Sequence, residues 1–134
     1  MRKIIVMLAV VLLVAACRGT VPVYTVSDKT VTVSPATTMA QAIIAGGTKK
    51  GWTMSRVGSG LIKGSLTVRD HQVTVNIPYT QSSYSIEYVD STNMLYKSKK
   101  NTIHPKYNQW VRNLDLAITR AAQAPKQFSA AAGK

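Results

Sequence analysis

From Gly51 to Tyr96 apolar residues recur at every second position, and turn residues cut the pattern into four runs. Period-two alternation puts successive side chains on opposite faces of a strand. The runs are Trp52–Val57, Leu61–Arg69, Gln72–Tyr79 and Ser83–Val89. In the second, Ile62, Leu66 and Val68 oppose Lys63, Ser65, Thr67 and Arg69. In the third, Val73, Val75, Ile77 and Tyr79 oppose Thr74, Asn76 and Pro78. In the fourth, Tyr84, Ile86 and Tyr88 oppose Ser85 and Glu87. Gly58-Ser59-Gly60 separates the first pair of runs. Asp70-His71 is expected to form a two-residue hairpin between the second and third, since both residues tolerate positive φ. One apolar and one polar face per strand predicts an antiparallel sheet covered on one side.

The cover is visible on either side of the sheet region. His104-Pro105 opens a helix running to about Gln123, with proline where its missing N–H costs nothing. Tyr107, Trp110, Val111, Leu114, Ile118 and Ala121 form one apolar stripe, and Lys106, Asn108, Arg112, Asn113, Asp115 and Thr119 are assigned to the remaining surface. Pro35 to Ala45 predicts a shorter helix, capped by Thr37 or Thr38 and ended by Gly46-Gly47. Its apolar positions are Met39, Ala42 and Ile43. The order helix, four strands, helix predicts an α+β domain over residues 35–123. The expected architecture is a two-layer sandwich of about four antiparallel strands, with both helices on one face. Residues 17–34 read as a solvated tether, with strand composition at Val23–Val26 and an edge strand expected around Thr30–Val33. Residues 124–134 read as a frayed tail.

The start of the chain has a different character. Met1-Arg2-Lys3 is a basic head, Ile4 to Val14 is an unbroken run of eleven apolar residues, and Ala15-Ala16 precede Cys17, the only cysteine. This is the form of an export signal over residues 1–16, too short to span a bilayer, which takes ~20 apolar residues. Val14-Ala15-Ala16-Cys17 resembles the bacterial lipobox at every position. That resemblance implies cleavage before Cys17, which would carry a diacylglycerol and an N-acyl chain. Arg18 follows, not the Asp that retains such proteins at the inner membrane in enteric bacteria, so the periplasmic face of the outer membrane is the expected address. With its one cysteine lipidated, the chain has no intramolecular disulfide, and stability rests on packing.

Charge sharpens this picture. Removal of Arg2 and Lys3 with the leader leaves fifteen basic against five acidic residues, a formal +10. In a cytoplasmic protein such an excess points to nucleic acid. After export, the expected anions are lipopolysaccharide phosphates, phospholipid headgroups and peptidoglycan carboxylates. Candidate contacts are Lys97, Lys99, Lys100 and Lys106, beside Tyr79, Tyr84, Tyr88 and Tyr96, together with Lys63 and Arg69 on the polar sheet face.

The usual signatures of catalysis are missing. Gly58-Ser59-Gly60 is followed by a strand pattern, whereas a dinucleotide fingerprint opens a helix. His71 and His104 are the only histidines, and their spacing suggests no metal site. No Gly-x-Ser-x-Gly turn occurs, and Asp70 and His71 would point apart along a strand. Glu87 and Asp90 are the nearest approach to a glycosidase carboxylate pair, which needs ~5–9.5 Å between carboxyl groups, and both read as solvated. No catalytic residue, metal or cofactor is expected.

Ile77-Pro78-Tyr79, Tyr84 to Tyr88, Tyr96, Ile103 to Trp110, Asn113-Leu114 and Ile118 together resemble a group of small bacterial lipoproteins with a Tyr-rich strand and a Tyr-Asn-x-Trp helix start. The resemblance implies the envelope address and the architecture, without an activity. The leading expectation is a non-enzymatic, lipid-anchored domain that binds an envelope component or an envelope protein. The alternative is a small envelope enzyme or enzyme inhibitor acting on cell wall or lipid.

Overall fold

The computed structural model describes residues 19–124. The expected leader, Cys17 and the tail from residue 125 lie outside the described residues. In chain order the elements are β1 (Val21–Pro22), β2 (Val26–Thr30), α1 (Met39–Lys49), β3 (Thr53–Gly58), β4 (Leu61–Val68), β5 (His71–Pro78), β6 (Ser83–Thr92), β7 (Thr102–Ile103) and α2 (Pro105–Ala122). All strand pairs are antiparallel. Five strands form one sheet in the order β2-β6-β5-β4-β3, and β1 and β7 form a separate two-stranded ladder. The fold is α+β, with both helices packed on an antiparallel sheet. The expected four strands are present, and three more complete the fold.

Register explains the alternation. Ile62 pairs with Ile77 and Leu66 with Val73, so buried residues form rows across the inner face. These rows meet Tyr107, Val111, Leu114 and Ile118 of α2 and Met39 and Ile43 of α1 in one core. Lys63–Asn76–Glu87 and Ser65–Thr74–Asp90 form the corresponding outer rows. At β6 the pairing steps from Val75–Tyr88 to Thr74–Asp90, leaving Val89 as the extra residue of a bulge. The bulge interrupts the two-residue period, so the expected end falls at Val89 although the strand runs three residues further, to Thr92.

Several expectations give way. The β4–β5 turn is Arg69-Asp70, one residue earlier than Asp70-His71, with Val68 paired to His71 and Arg69 at φ 57°. His71 joins the ladder while its Nδ1–H donates to the Asn93 carbonyl at 2.9 Å. Helix α1 begins at Met39 instead of Pro35, because Thr38 is extended and closes a capping box with Gln41. Gly46 and Gly47 do not end it. They are buried within the helix, and termination falls at Lys50 and at Gly51, whose φ of 87° suits glycine. A Cβ on Gly46 would stand 2.6 Å from the Ile118 nitrogen, so glycine there permits the close crossing of α1 and α2.

Asn108 also departs from its surface assignment: it is buried, accepts from the Tyr24 N–H and donates to the Pro22 carbonyl, both at 2.9 Å. Within the segment expected as a tether, residues 21–34 are built into the domain. The edge strand is β2, at Val26–Thr30, and Val26 and Val31 are buried. The Ser34 N–H reaches the last turn of α2 through the Ala122 carbonyl.

Candidate functional site

Five of the six basic positions expected to meet an anion gather at one end of the sheet. The β6–β7 loop, residues 93–101, carries Lys97, Lys99 and Lys100, all exposed. Lys97 and Thr102 exchange backbone hydrogen bonds at 2.9 and 3.2 Å, which close the loop into a hairpin-like excursion. Its base is fixed by the buried Met94 side chain, by the His104 N–H donating to the Met94 carbonyl at 2.8 Å, and by the Asn93 side-chain amide donating to the Asp70 carbonyl at 2.9 Å. These bonds join the loop to the β4–β5 turn and to the start of α2.

There Arg69 and Lys106 share an open groove of about 360 Å³ with Val68, His71, His104 and Trp110. His104 caps α2, its Nδ1 accepting the Lys106 N–H at 3.0 Å, and the two imidazole centroids are 6.0 Å apart. Lys63 is the outlier. It stands on the outer face of β4, six residues or ~20 Å of strand from Arg69, in the row that ends at Glu87.

The loop backbone is constrained. Asn93, Leu95 and Asn101 have φ of 58°, 55° and 52°. Asparagine accepts this region readily, but leucine does so at a cost of about 1–2 kcal/mol. That conformation leaves Leu95 the most exposed large hydrophobic residue described, at 64%. Tyr96 beside it stacks on Tyr88 at 4.2 Å between centroids, and the Tyr88 hydroxyl bonds to Ser91 Oγ at 2.7 Å. Val89, Leu95 and Tyr96 line one surface groove with Asp90 as its only carboxylate.

A second polar group lies between sheet and helix. Tyr84 donates to the Asp115 carboxylate, and Lys29 reaches the same carboxylate at 3.0 and 3.1 Å and Thr119 Oγ1 at 3.1 Å. Burial, reinforced by the Asp115 hydrogen bond, pushes the Tyr84 phenol well above its ordinary range. Asp115 and Thr119 therefore tie the edge strand to the helix and are not free surface residues. Tyr107 is fully buried, its hydroxyl has no hydrogen-bond partner, and burial raises its phenol too.

Among the described residues, no three His, Cys, Asp or Glu side chains converge as a metal site would require. The ion pairs there are Lys29–Asp115 and, when the imidazole is protonated, His71–Asp70 at 3.6 Å, so Lys97, Lys99, Lys100 and Lys106 have no carboxylate partner among those residues. No family model, curated protein or solved structure matches the chain.

The lysines were legible as a charge run. The Tyr88–Tyr96 stack, the Arg69–Lys106 groove and the contact of Arg112 over the Tyr24 ring at 4.6 Å were not. The groove and the Arg112–Tyr24 contact join residues far apart in sequence, and the stack depends on the bulge at Val89. The exposure of Leu95 had one available signal, a leucine without an apolar neighbour on either side at period two.

Proposed function

We propose that this protein is a lipid-anchored lipoprotein of the bacterial envelope, non-enzymatic, whose domain docks on an anionic envelope component or an envelope protein. Lipopolysaccharide, phospholipid and peptidoglycan are the candidate anions. The observation that supports the reading is the place where the chain enters the fold. Val21 and Pro22 pair with Ile103 and Thr102, and the Val23 N–H donates to the Asn101 carbonyl at 3.0 Å. The lysine loop thus sits beside the strand that leads back to the lipobox cysteine. Val21 lies four positions after Cys17, a reach of at most ~14 Å. A membrane holding Cys17 would therefore lie within ~14 Å of β1, so a partly folded-back tether brings its headgroups inside the roughly 8–10 Å over which Lys97, Lys99 and Lys100 attract them at ordinary salt. No helix among the described residues is long and apolar enough to cross a membrane, so attachment in this reading depends on the cysteine. With Arg18 after it, the outer membrane is the expected site.

Mass spectrometry of the mature N-terminus tests the proposal. It predicts a chain beginning at Cys17 and carrying diacylglycerol and acyl mass, with Cys17→Ala accumulating as unprocessed or mislocalised precursor. An unmodified Cys17, or cleavage elsewhere, would falsify it.

A further inference from the structure

We infer that the β6–β7 loop is a membrane foot. Leu95 and Tyr96 enter the headgroup–acyl boundary of the bilayer that holds the Cys17 lipid, while Lys97, Lys99 and Lys100 pair with its phosphates. The inference rests on the lipid-anchor reading and adds which surface of the domain faces the bilayer.

Three observations converge on this loop. Beside the buried Met94, two of its residues display apolar surface, Leu95 at 64% and Tyr96 at 37% exposed, and Val89 of the adjoining β6 is 41% exposed. They share one groove, because the bulge at Val89 and the Tyr88–Tyr96 stack bring them together. Lysines follow directly, and an apolar tip flanked by cations is the arrangement by which a segment settles at a lipid interface. Tyrosine is suited to that depth, having an apolar ring and a polar end.

The occupant is specified by charge and by tether length. Three lysines without carboxylate partners among the described residues face whatever lies beyond the loop, and Asp90 is the one opposing charge in the groove. The strand paired to the loop's C-terminal limb begins four residues after Cys17, so the anchoring bilayer is the first anionic surface within reach. Leu95 is held outward by a loop whose backbone bonds to Thr102 and His104, with the Asn93 side-chain bond to Asp70, fix it before any contact is made.

The test uses protein expressed from the full-length sequence and reconstituted into phosphatidylethanolamine–phosphatidylglycerol vesicles with brominated acyl chains. Leu95→Trp places a reporter on the foot, and Val57→Trp places one on an exposed position near the opposite end of the sheet. The unsubstituted protein supplies the background from Trp52 and Trp110. The Leu95→Trp emission should shift to the blue and be quenched about two-fold or more beyond that of Val57→Trp. Adding Lys97→Gln, Lys99→Gln and Lys100→Gln should reduce that quenching. Equal quenching at the two positions overturns the foot, while retention on vesicles through an alkaline carbonate wash still supports the anchor. Release by that wash with Leu95→Trp quenching intact sinks the anchor and leaves the foot standing.

Discussion

Over Gly46 the two helices approach so closely that an added methyl would meet backbone, 2.6 Å from the Ile118 nitrogen and 2.8 Å from the Ala117 carbonyl carbon. Backbone within a packed helix has little room to yield, so Gly46→Ala should destabilise the fold by about 1–3 kcal/mol, read as a lower urea midpoint. At Gly47 the three atoms nearest the added carbon all belong to the Met54 side chain, which is unbranched and able to change rotamer. Gly47→Ala sets that repacking against a gain of ~1 kcal/mol in helix propensity and should be close to neutral. Equal losses at the two positions would contradict the close-crossing account. Tyr84 and Tyr107, 1% and 0% exposed, set an alkaline limit of their own. Burial raises both phenols above their ordinary value of about 10. Above that pH the unfolded chain releases protons that the folded chain keeps. The contribution is therefore whole at neutral pH and is lost as pH rises past the unfolded value, by up to ~1.4 kcal/mol per pH unit for each tyrosine. Urea midpoints should fall between about pH 10 and 11, and Tyr107→Phe should flatten the fall. A midpoint unchanged through that range would refute the assignment.

Among the elements, β1 depends most heavily on a single side chain. Asn108 bonds both the Pro22 carbonyl and the Tyr24 amide, while the β1–β7 ladder itself spans only two residue pairs. Asn108→Ala should cost about 1–3 kcal/mol, and hydrogen exchange at residues 21–24 should accelerate ahead of β4 and β5. Uniform acceleration would show that β1 is no separable unit. The same asparagine shows where reading the sequence ends. Strands β4 to β6 and helix α2 were legible because each buries one face, and burial of one face writes a period into the residues. Strands β1 and β7, of two residues each, have no period to read. In β2 the pattern is broken where Asp28 takes φ 44° in a bulge and Lys29 turns inward to Asp115. A lysine, an aspartate and an asparagine in the helix–sheet layer look like surface residues until their partners, more than eighty positions away, are known. The glycines of α1 misled for a related reason. A glycine that ends a helix and one that lets another helix approach are identical in sequence and differ only in the neighbour.

For the whole molecule, the proposed anchor and foot would be two attractions of unequal kind on one end of the domain. Three acyl chains on Cys17 would hold stably, since two already suffice for stable anchoring. The lysine loop contributes about 1 kcal/mol per charge near an anionic surface, and this is screened by salt. In the native protein the first should decide attachment and the second only orientation. Removing the anchor exposes the second. Protein beginning at Arg18, without leader or cysteine, should bind phosphatidylglycerol vesicles at low ionic strength and leave them at high salt. Substituting Lys97, Lys99 and Lys100 with glutamine in that background should weaken partitioning by on the order of 100-fold, the equivalent of ~3 kcal/mol. The control removes the same charge elsewhere: Lys49, Lys50 and Arg120 line a groove between the two helices. Their substitution with glutamine lowers the net charge equally but leaves the loop intact, so its effect should be far smaller. If net charge alone drew the protein to the bilayer, the two triple variants would lose affinity alike. A loss concentrated in the loop variant would mean that the placement of the charges, set by β1 pairing with β7, governs the encounter.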